Sequence, residues 1–445
     1  MKTVLFVEWH TSGREFDMQF PLMYFFEKYL KWKVVFLCSF DIKKILRSSP
    51  DLVIMSGTGG AQRGLELLEL FDNSDIPVYS SYTEGMFRQK DLDQFIWGHN
   101  RSKIIKEKLR MLWSNYSYNL VIEKYPSLKN KLRVSGATGY DKYKLIKYEN
   151  IKTDFKNIIG YAAFNFNSKL DPKREDLTDK YKQQLKKDLF IIKDIFSYLL
   201  KHFPNVLFVI KAHPNDLGKI PLEVSHLEEF NNLMIIKSPQ YPIARVVSSS
   251  DIWLNYNSTT IVDAWILNKP TITFNVEENM QSSHIFKGSI SVNNKNTIRK
   301  YIKEYYSNGK IIAFDRLSNT REKMISESIG YSDGLNHVRY MSFLKSHIEK
   351  IERERPTTIK WKISLKKKLR EFMKYFLLKL SNNRYKIPII KKWAIYFSRF
   401  SLYEFERFKD SHYPEIDLFY QTNSDKIDLI YNLYSIDAID KLKVN

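Results

Sequence analysis

A single cysteine, Cys38, stands among 445 residues, so no disulfide can form within the chain and small stapled folds are excluded. It follows the apolar run at 34–37 and reads as a buried thiol in a reducing compartment. Nowhere do about 18 apolar residues run together, the length that a membrane-crossing helix needs. After Met1-Lys2 a short apolar run ends at Glu8, Trp9 and His10, which reads as a first β-strand and not as a secretory leader. The nine histidines are scattered, and with one cysteine they give no set at metal-ligand spacing. Asp91-Leu92-Asp93 has the spacing of a metal-binding Asp-x-Asp loop, but no buried strand precedes it, so a solvated face is expected. Solenoid-period repeats and nucleic-acid-binding motifs are also missing. A cytoplasmic protein without a metal is the expectation.

What the chain does have is length, apolar content and positive charge. Its 445 residues exceed one ordinary core and fit two domains plus an appendage, with 43% hydrophobic residues to fill them. A net charge of +21 and a pI near 9.5 call for an anionic partner. To about residue 150, β-rich runs at 3–7, 33–37, 52–55, 78–81 and 120–122 alternate with helical patterns at 19–29, 42–47, 63–71 and 102–113. Beyond a Lys-rich joint at 142–156 the rhythm resumes, with strands at 158–162, 206–210, 233–236, 252–254 and 271–274. Helices are expected there at 178–202, 242–248, 259–267, 296–306 and 337–353. This alternation predicts an α/β protein: two Rossmann-like parallel-sheet domains, 1–150 and 151–354, facing a cleft, with a helical extension at 355–445.

Ligands of open parallel sheets collect outside the carboxyl ends of the strands, and the polar clusters of this chain fall at such ends. Lys211-Ala212-His213-Pro214 closes the run at 206–210. Asn257-Ser258-Thr259-Thr260 comes after 252–254 and opens a helix. An imidazole and a hydroxyl-rich helix start are groups that hold phosphate. Strand alternation puts Lys211 on the side of His213, Asp263 lies one turn into the helix, and Asn165 and Asn167 come after 158–162. A structural histidine and N-capping by Asn257 or Ser258 are the plain alternatives. In the first half, Thr83-Glu84-Gly85 comes after 78–81; Glu84 offers a carboxylate able in principle to act as a base, with an N-cap or surface loop glutamate as the plain alternative, and Gly85 permits a sharp turn.

Two further segments are glycine-marked. Ser56-Gly57-Thr58-Gly59-Gly60-Ala61-Gln62 links strand to helix, and its glycines would let backbone N–H groups converge on an oxyanion. It has neither the Walker lysine nor a third dinucleotide glycine, so a tight turn is an equal reading. Arg133-Val134-Ser135-Gly136-Ala137-Thr138-Gly139-Tyr140-Asp141 ends the first domain, where Gly136 and Gly139 would shape the crossover and Asp141 would cap the next element.

His213-Pro214, Ser258-Thr259 and the ordered run from Ser250 to Trp265, continued by Asn268-Lys269-Pro270, resemble the C-terminal half of bacterial GT-B glycosyltransferases that use cytidine-nucleotide donors. The resemblance is to sialyltransferase-like surface-polysaccharide enzymes and to the related CDP-glycerol glycerophosphotransferases. Thr83-Glu84-Gly85 is similar to their acidic-acidic-Gly motif, with Thr83 in place of the first acid. The resemblance covers residues 1 to about 350. It implies a metal-independent, inverting transferase without a separate cofactor, with a nucleotide-sugar donor and a glycan or lipid-linked acceptor. The donor it implies is a CMP-activated nonulosonic acid, with Glu84 as base. His213, Lys211, Pro214, Asn257, Ser258, Thr259, Thr260, Asp263 and Asn165 would lie at the donor phosphate, and Gly57, Thr58, Gly59 and Gly60 would offer loop contacts. A teichoic-acid-type CDP-alditol phosphotransferase, a UDP-sugar transferase and a non-catalytic membrane-associated scaffold are the alternatives.

From 355 to 409, sixteen Lys or Arg face three Glu. Trp361, Leu365, Leu369, Phe372, Phe376 and Leu380 recur at helical steps among lysines, and Ile389, Trp393, Tyr396, Phe397, Phe400 and Tyr403 form a second stripe. Basic aromatic helices of this kind seat on anionic membranes, so contact with the inner face of the cytoplasmic membrane is expected, and nucleic acid is not. The alternative is a helical hairpin packed back on the protein.

Overall fold

The computed structural model describes residues 1–9, 13–85, 89–172, 174, 177–216, 218–237, 240–274, 284–351, 359 and 402–433. Its strands are β1 Thr3–Glu8, β2 Lys33–Cys38, β3 Leu52–Ser56, β4 Val78–Ser81, β5 Leu109–Leu112, β6 Leu132–Val134, β7 Asn157–Ala162, β8 Val206–Lys211, β9 Leu233–Ile236, β10 Ile252–Asn255, β11 Thr271–Phe274 and β12 Ile290–Val292. The helices used below are α1 Arg14–Tyr24, α2 Gln62–Asp72, α3 Asp179–His202, α4 Thr260–Ile266, α5 Asn336–Glu349, α6 Leu402–Thr422 and α7 Ser424–Leu433. The chain forms two compact units, Met1–Lys147 with Ser326–Asn445, and Tyr148–Ile325.

The first unit is built on a sheet of order β2-β1-β3-β4-β5-β6 with every pair parallel. Parallel strands need helical crossovers, which cover both faces and favour unbroken apolar runs. Val4, Leu5, Phe6 and Val7 are accordingly all buried. Leu5, Val7, Val53, Met55 and Val78 pack with Leu67, Leu68 and Phe71 of α2.

Two expectations are reversed here. Residues 109–112, read as the end of a helix, form β5, while 120–122, read as a strand, lie in the helix Asn115–Lys124. The cause lies at two places. The Ser114 side chain caps that helix by accepting from the Ser117 N–H. Arg110 is drawn into the core by Glu107, at 2.6 Å, so a charged residue that looks like a helix surface sits inside a sheet.

The chain returns to this unit at its far end. The Asp141 carboxylate accepts from the Asn336 N–H at 3.2 Å, the Asn336 amide at 2.8 Å, the His337 N–H at 2.8 Å and His337 Nδ1 at 2.8 Å. It therefore caps α5, which starts nearly two hundred residues after it. Gly136, at φ 87, packs so closely on Asn336 that a Cβ would come within 1.8 Å of Oδ1. His337 Nε2 lies 2.6 Å from the Tyr420 hydroxyl of α6.

Helices α6 and α7 lie against α1 and the turn after it. Phe408 meets Phe16 edge-on at 4.8 Å, Tyr24 donates to Asp417 at 2.5 Å, and Lys409 pairs with Glu27 at 3.2 Å. The basic stretch expected on a membrane, 355–409, lies outside the described residues apart from Ile359 and 402–409. In that last part Phe405 is buried on the protein. Residues 402–433 carry seven acidic and three basic side chains, so the basic excess precedes them. Among the described residues no helix is long and apolar enough to cross a membrane.

The second unit has a sheet of order β12-β11-β10-β7-β8-β9, again parallel at every pair. Ile158, Val209, Val246, Val247, Trp253 and Ala264 form its core. Strand β7 sits in the middle, between β8 and β10.

Replacing Asp141 by Ala strands three donors in a buried site, the Asn336 and His337 backbone N–H groups and His337 Nδ1, while the Asn336 amide keeps the Ala137 and Tyr331 carbonyls. Loss of about 3–5 kcal/mol is expected, read as a lower urea midpoint, while Asp141→Asn should recover part of it by keeping two acceptor bonds.

Candidate active site

In the second unit the carboxyl ends of β10, β7 and β8 lie side by side on one sheet edge. At ~4.8 Å between neighbours, the tips of β8 and β10 stand roughly 10 Å apart with β7 between them, a span suited to a phosphate group and its substituents.

His213 comes after β8 and is half-buried. Its Nδ1 accepts from the Asn215 N–H at 3.1 Å, which leaves the proton of the neutral ring on Nε2 as a donor. Lys211 is buried at the end of the strand, and its ammonium reaches the Lys237 carbonyl at 3.4 Å. Burial pulls its pKa down to about 8. Pro214 opens a short turn, Pro214–Asp216, that carries the chain away from the edge.

The turn after β10 is held from behind. Buried Asn255 accepts from the Ser258 N–H at 3.3 Å and reaches Thr273 at 3.4 Å. Asn257 takes φ 49, a left-handed conformation that asparagine tolerates better than most residues. Ser258 and Thr260 hydroxyls are 3.0 Å apart, and the buried Trp253 indole donates to Thr260 at 3.2 Å. The N-cap position belongs to Thr259, with no capping side-chain bond; neither Asn257 nor Ser258 occupies it. Ser258 Oγ instead takes the Thr260 N–H at 3.4 Å. Asp263 is buried one turn into α4.

Asn165, after β7, is buried, and its Oδ1 has no hydrogen-bond partner among the described residues. Tyr256 joins these elements: its ring stacks on Phe166 at 5.6 Å and its hydroxyl donates to Asp188 of α3 at 2.5 Å. Thus the β7 loop and the β10 turn are clamped together behind the edge.

Buried acids were not foreseen at this edge. Glu223 is fully buried; it accepts from the Phe164 N–H at 2.8 Å, and loss of solvent raises its pKa to about 8. Asp216, beside it, is raised to about 6 for the same reason. A carboxylate in a loop such as Pro221-Leu222-Glu223 gives no sign in the sequence that it will be enclosed.

In the first unit, Glu84 comes after β4 with its side chain 66% exposed and accepts from Arg14 at 3.0 Å. Gly85 is needed for packing more than for turning, since a Cβ would stand 2.3 Å from the Trp113 ring. Thr58 of the glycine turn is tied into a buried network: it is bonded to Glu107, and Arg110 reaches it at 3.2 Å. Gly59 packs on the Ile96 carbonyl, with 2.8 Å left for a Cβ, whereas a Cβ at Gly57 or Gly60 would meet nothing within 4 Å. The last residue of β1, Glu8, is buried and raised to about 8 by desolvation; Ser56 and Gln19 are bonded to its two oxygens. A glutamate ending an apolar strand run was the available signal for it. Of the Asp91-Leu92-Asp93 segment, only Asp93 is exposed, paired with Lys124 at 2.6 Å, while Leu92 is buried and Asp91 is half-buried. No group of three metal-ligating His, Cys, Asp or Glu side chains occurs among the described residues.

No protein-family profile and no curated protein sequence matches the chain. Solved structures do. The S. aureus MnaA–UDP structure superposes with a TM-score of 0.52 at 16% identity, covering 81% of this chain and 100% of that one. A Listeria monocytogenes protein assigned as a UDP-N-acetylglucosamine 2-epimerase gives 0.51 at 14% identity, with 81% and 100% covered. Such likeness establishes the fold: GT-B, two Rossmann-like parallel sheets with flanking helices and a helical C-terminal region. Neither structure is a sialyltransferase or a glycerophosphotransferase, so the narrower resemblance gains no support from them.

Glu8 and Glu223 make a stability prediction whose sign is the reverse of an ion-paired carboxylate. An unfolded chain gives up these protons near pH 4.5, while the folded one holds them to about 8. The stability they contribute is whole below 4.5 and drains away as pH rises to 8, by roughly 4 kcal/mol for each acid. Denaturant unfolding from pH 5 to 8 should show this slope, and Glu223→Gln should flatten it.

Proposed function

We propose that this GT-B chain is a nucleotide-sugar enzyme that transfers a sugar with inversion and without a metal, in surface-polysaccharide assembly. One observation carries the reading: His213 and the Ser258–Thr260 hydroxyls stand on strand tips that flank one strand of a single parallel sheet. Breaking a sugar–phosphate bond puts negative charge on the departing oxygen, and donors already aimed there lower the barrier. His213 Nε2–H and the Ser258 and Thr260 hydroxyls are such donors, and Lys211 adds charge when protonated. Asn257 sets the turn, Asp263 and Asn165 order the two flanking loops, and Glu84, oriented by Arg14, accepts the proton of the acceptor hydroxyl.

The donor we favour is a CMP-activated acidic sugar, on the motif resemblance. A UDP-sugar is the second reading, supported by the UDP bound in the S. aureus MnaA structure. Thermal unfolding with CMP, CDP, UDP and GDP separates them. At 100 times Kd a true ligand adds about 2.7 kcal/mol, a shift of several degrees; the largest shift should come from CMP, and one from UDP alone would move the assignment to the second reading. His213→Ala should remove most of the shift, and a shift that survives it intact would falsify the phosphate role.

The basic segment before residue 402 is proposed to bring the protein to anionic membrane, where a lipid-linked acceptor resides. Co-sedimentation with vesicles containing phosphatidylglycerol should occur at low salt, weaken by 500 mM, and fall sharply once 355–401 is deleted.

A further inference from the structure

The tips of β1 and β3 hold a second polar site that the proposed function leaves unused. These strands are neighbours in parallel register, with Val7 opposite Met55, so Glu8 and Ser56 end side by side on the carboxyl edge of the first sheet. Glu8 is 1% exposed, and its oxygens are bonded to Ser56 and to Gln19 of α1. Ser56, only half-buried, opens the glycine turn, where Gly57 and Gly60 leave open space on the side a Cβ would fill.

The geometry points to a binding site for the carboxylate of an acidic sugar at this edge, with the Ser56 hydroxyl as its hydrogen-bond donor and Glu8 as the residue that positions that donor. The position of one proton sets what the edge can bind. A neutral Glu8 gives its own O–H to Ser56 Oγ, and the Ser56 proton then points outward to an acceptor. An ionised Glu8 takes the Ser56 proton back and repels an anion as well. Burial keeps Glu8 neutral to about pH 8, helped by the nearby Glu15 carboxylate; Ser56 and Gln19 pull the other way by hydrogen bonding. The remaining titratable group coupled to it is Tyr340 of α5, whose phenol is held neutral by burial. Among the described residues no lysine or arginine bonds to Glu8, Gln19 or Ser56. With Arg63, just past the same turn, engaged by Glu66 and the Ser39 carbonyl, a neutral hydroxyl donor at Ser56 suits a singly charged carboxylate better than a phosphate dianion.

The inference rests on the proposed function only in taking a sugar as the carrier of the carboxylate, and it is tested apart from the nucleotide. Saturation-transfer NMR on the full chain would follow glucuronate, glucose and glucose 6-phosphate at pH 7 and pH 9.5. Glucuronate should bind at pH 7 at least tenfold more tightly than either of the others, and should lose at least tenfold by pH 9.5. Ser56→Ala should abolish this preference. Glu8→Gln, whose amide donates to Ser56 as the neutral acid does, should keep binding at pH 7 and remove the pH dependence. His213→Ala should leave glucuronate binding intact while losing the nucleotide-induced shift, so the two readings fail separately. Equal binding of glucose and glucuronate, a preference for the phosphate, no binding of any of the three, or an unchanged pH profile in Glu8→Gln would each overturn the assignment.

Discussion

Within each sheet every strand runs parallel to its neighbours, and the remaining features derive from that constraint. A parallel pair cannot be closed by a hairpin, so each strand leads into a crossover that covers a face, and each crossover departs from the same edge. The polar residues just past the strands therefore gather: Asn165, His213 and Ser258 are far apart in the chain yet leave adjacent strand tips of one sheet. In the other sheet the same rule sets Glu8 beside Ser56. Shape and chemistry share one origin here, because the apolar interior of each strand forces its polar residues to the ends.

At those ends burial decides what an acid can do. Glu84 and Glu8 have the same carboxyl group, and both lie at the ends of strands of the first sheet. Glu84 lies in solvent beside Arg14 and is an acceptor, whereas Glu8 is sealed under α1 and holds its proton to about pH 8. Glu223 repeats the pattern in the second unit.

The first unit is completed by residues from the far end of the chain. Asp141 caps α5, Gly136 admits Asn336, and His337 passes the contact on to Tyr420. None of these pairs is near in sequence. Reading Asp141 as a cap was sound in chemistry; the helix it caps could be found only in space, since a carboxylate advertises what it accepts and not which N–H groups will arrive. Gly85 likewise reads as a turn residue until Trp113 is seen against it.

The alternation of strand and helix, the parallel class, and the strand-end positions of His213, Ser258 and Glu84 are legible in the chain alone, because periodicity and turn chemistry are local properties. The same local reading misplaces β5, since a buried Arg110 bonded to Glu107 has the pattern of a surface helix residue. Only the folded molecule settles which tips are neighbours, which acids lose solvent, and where residues 326 onward return. Those outcomes depend on sheet order and on desolvation, which are set by contacts between residues that no stretch of sequence contains together.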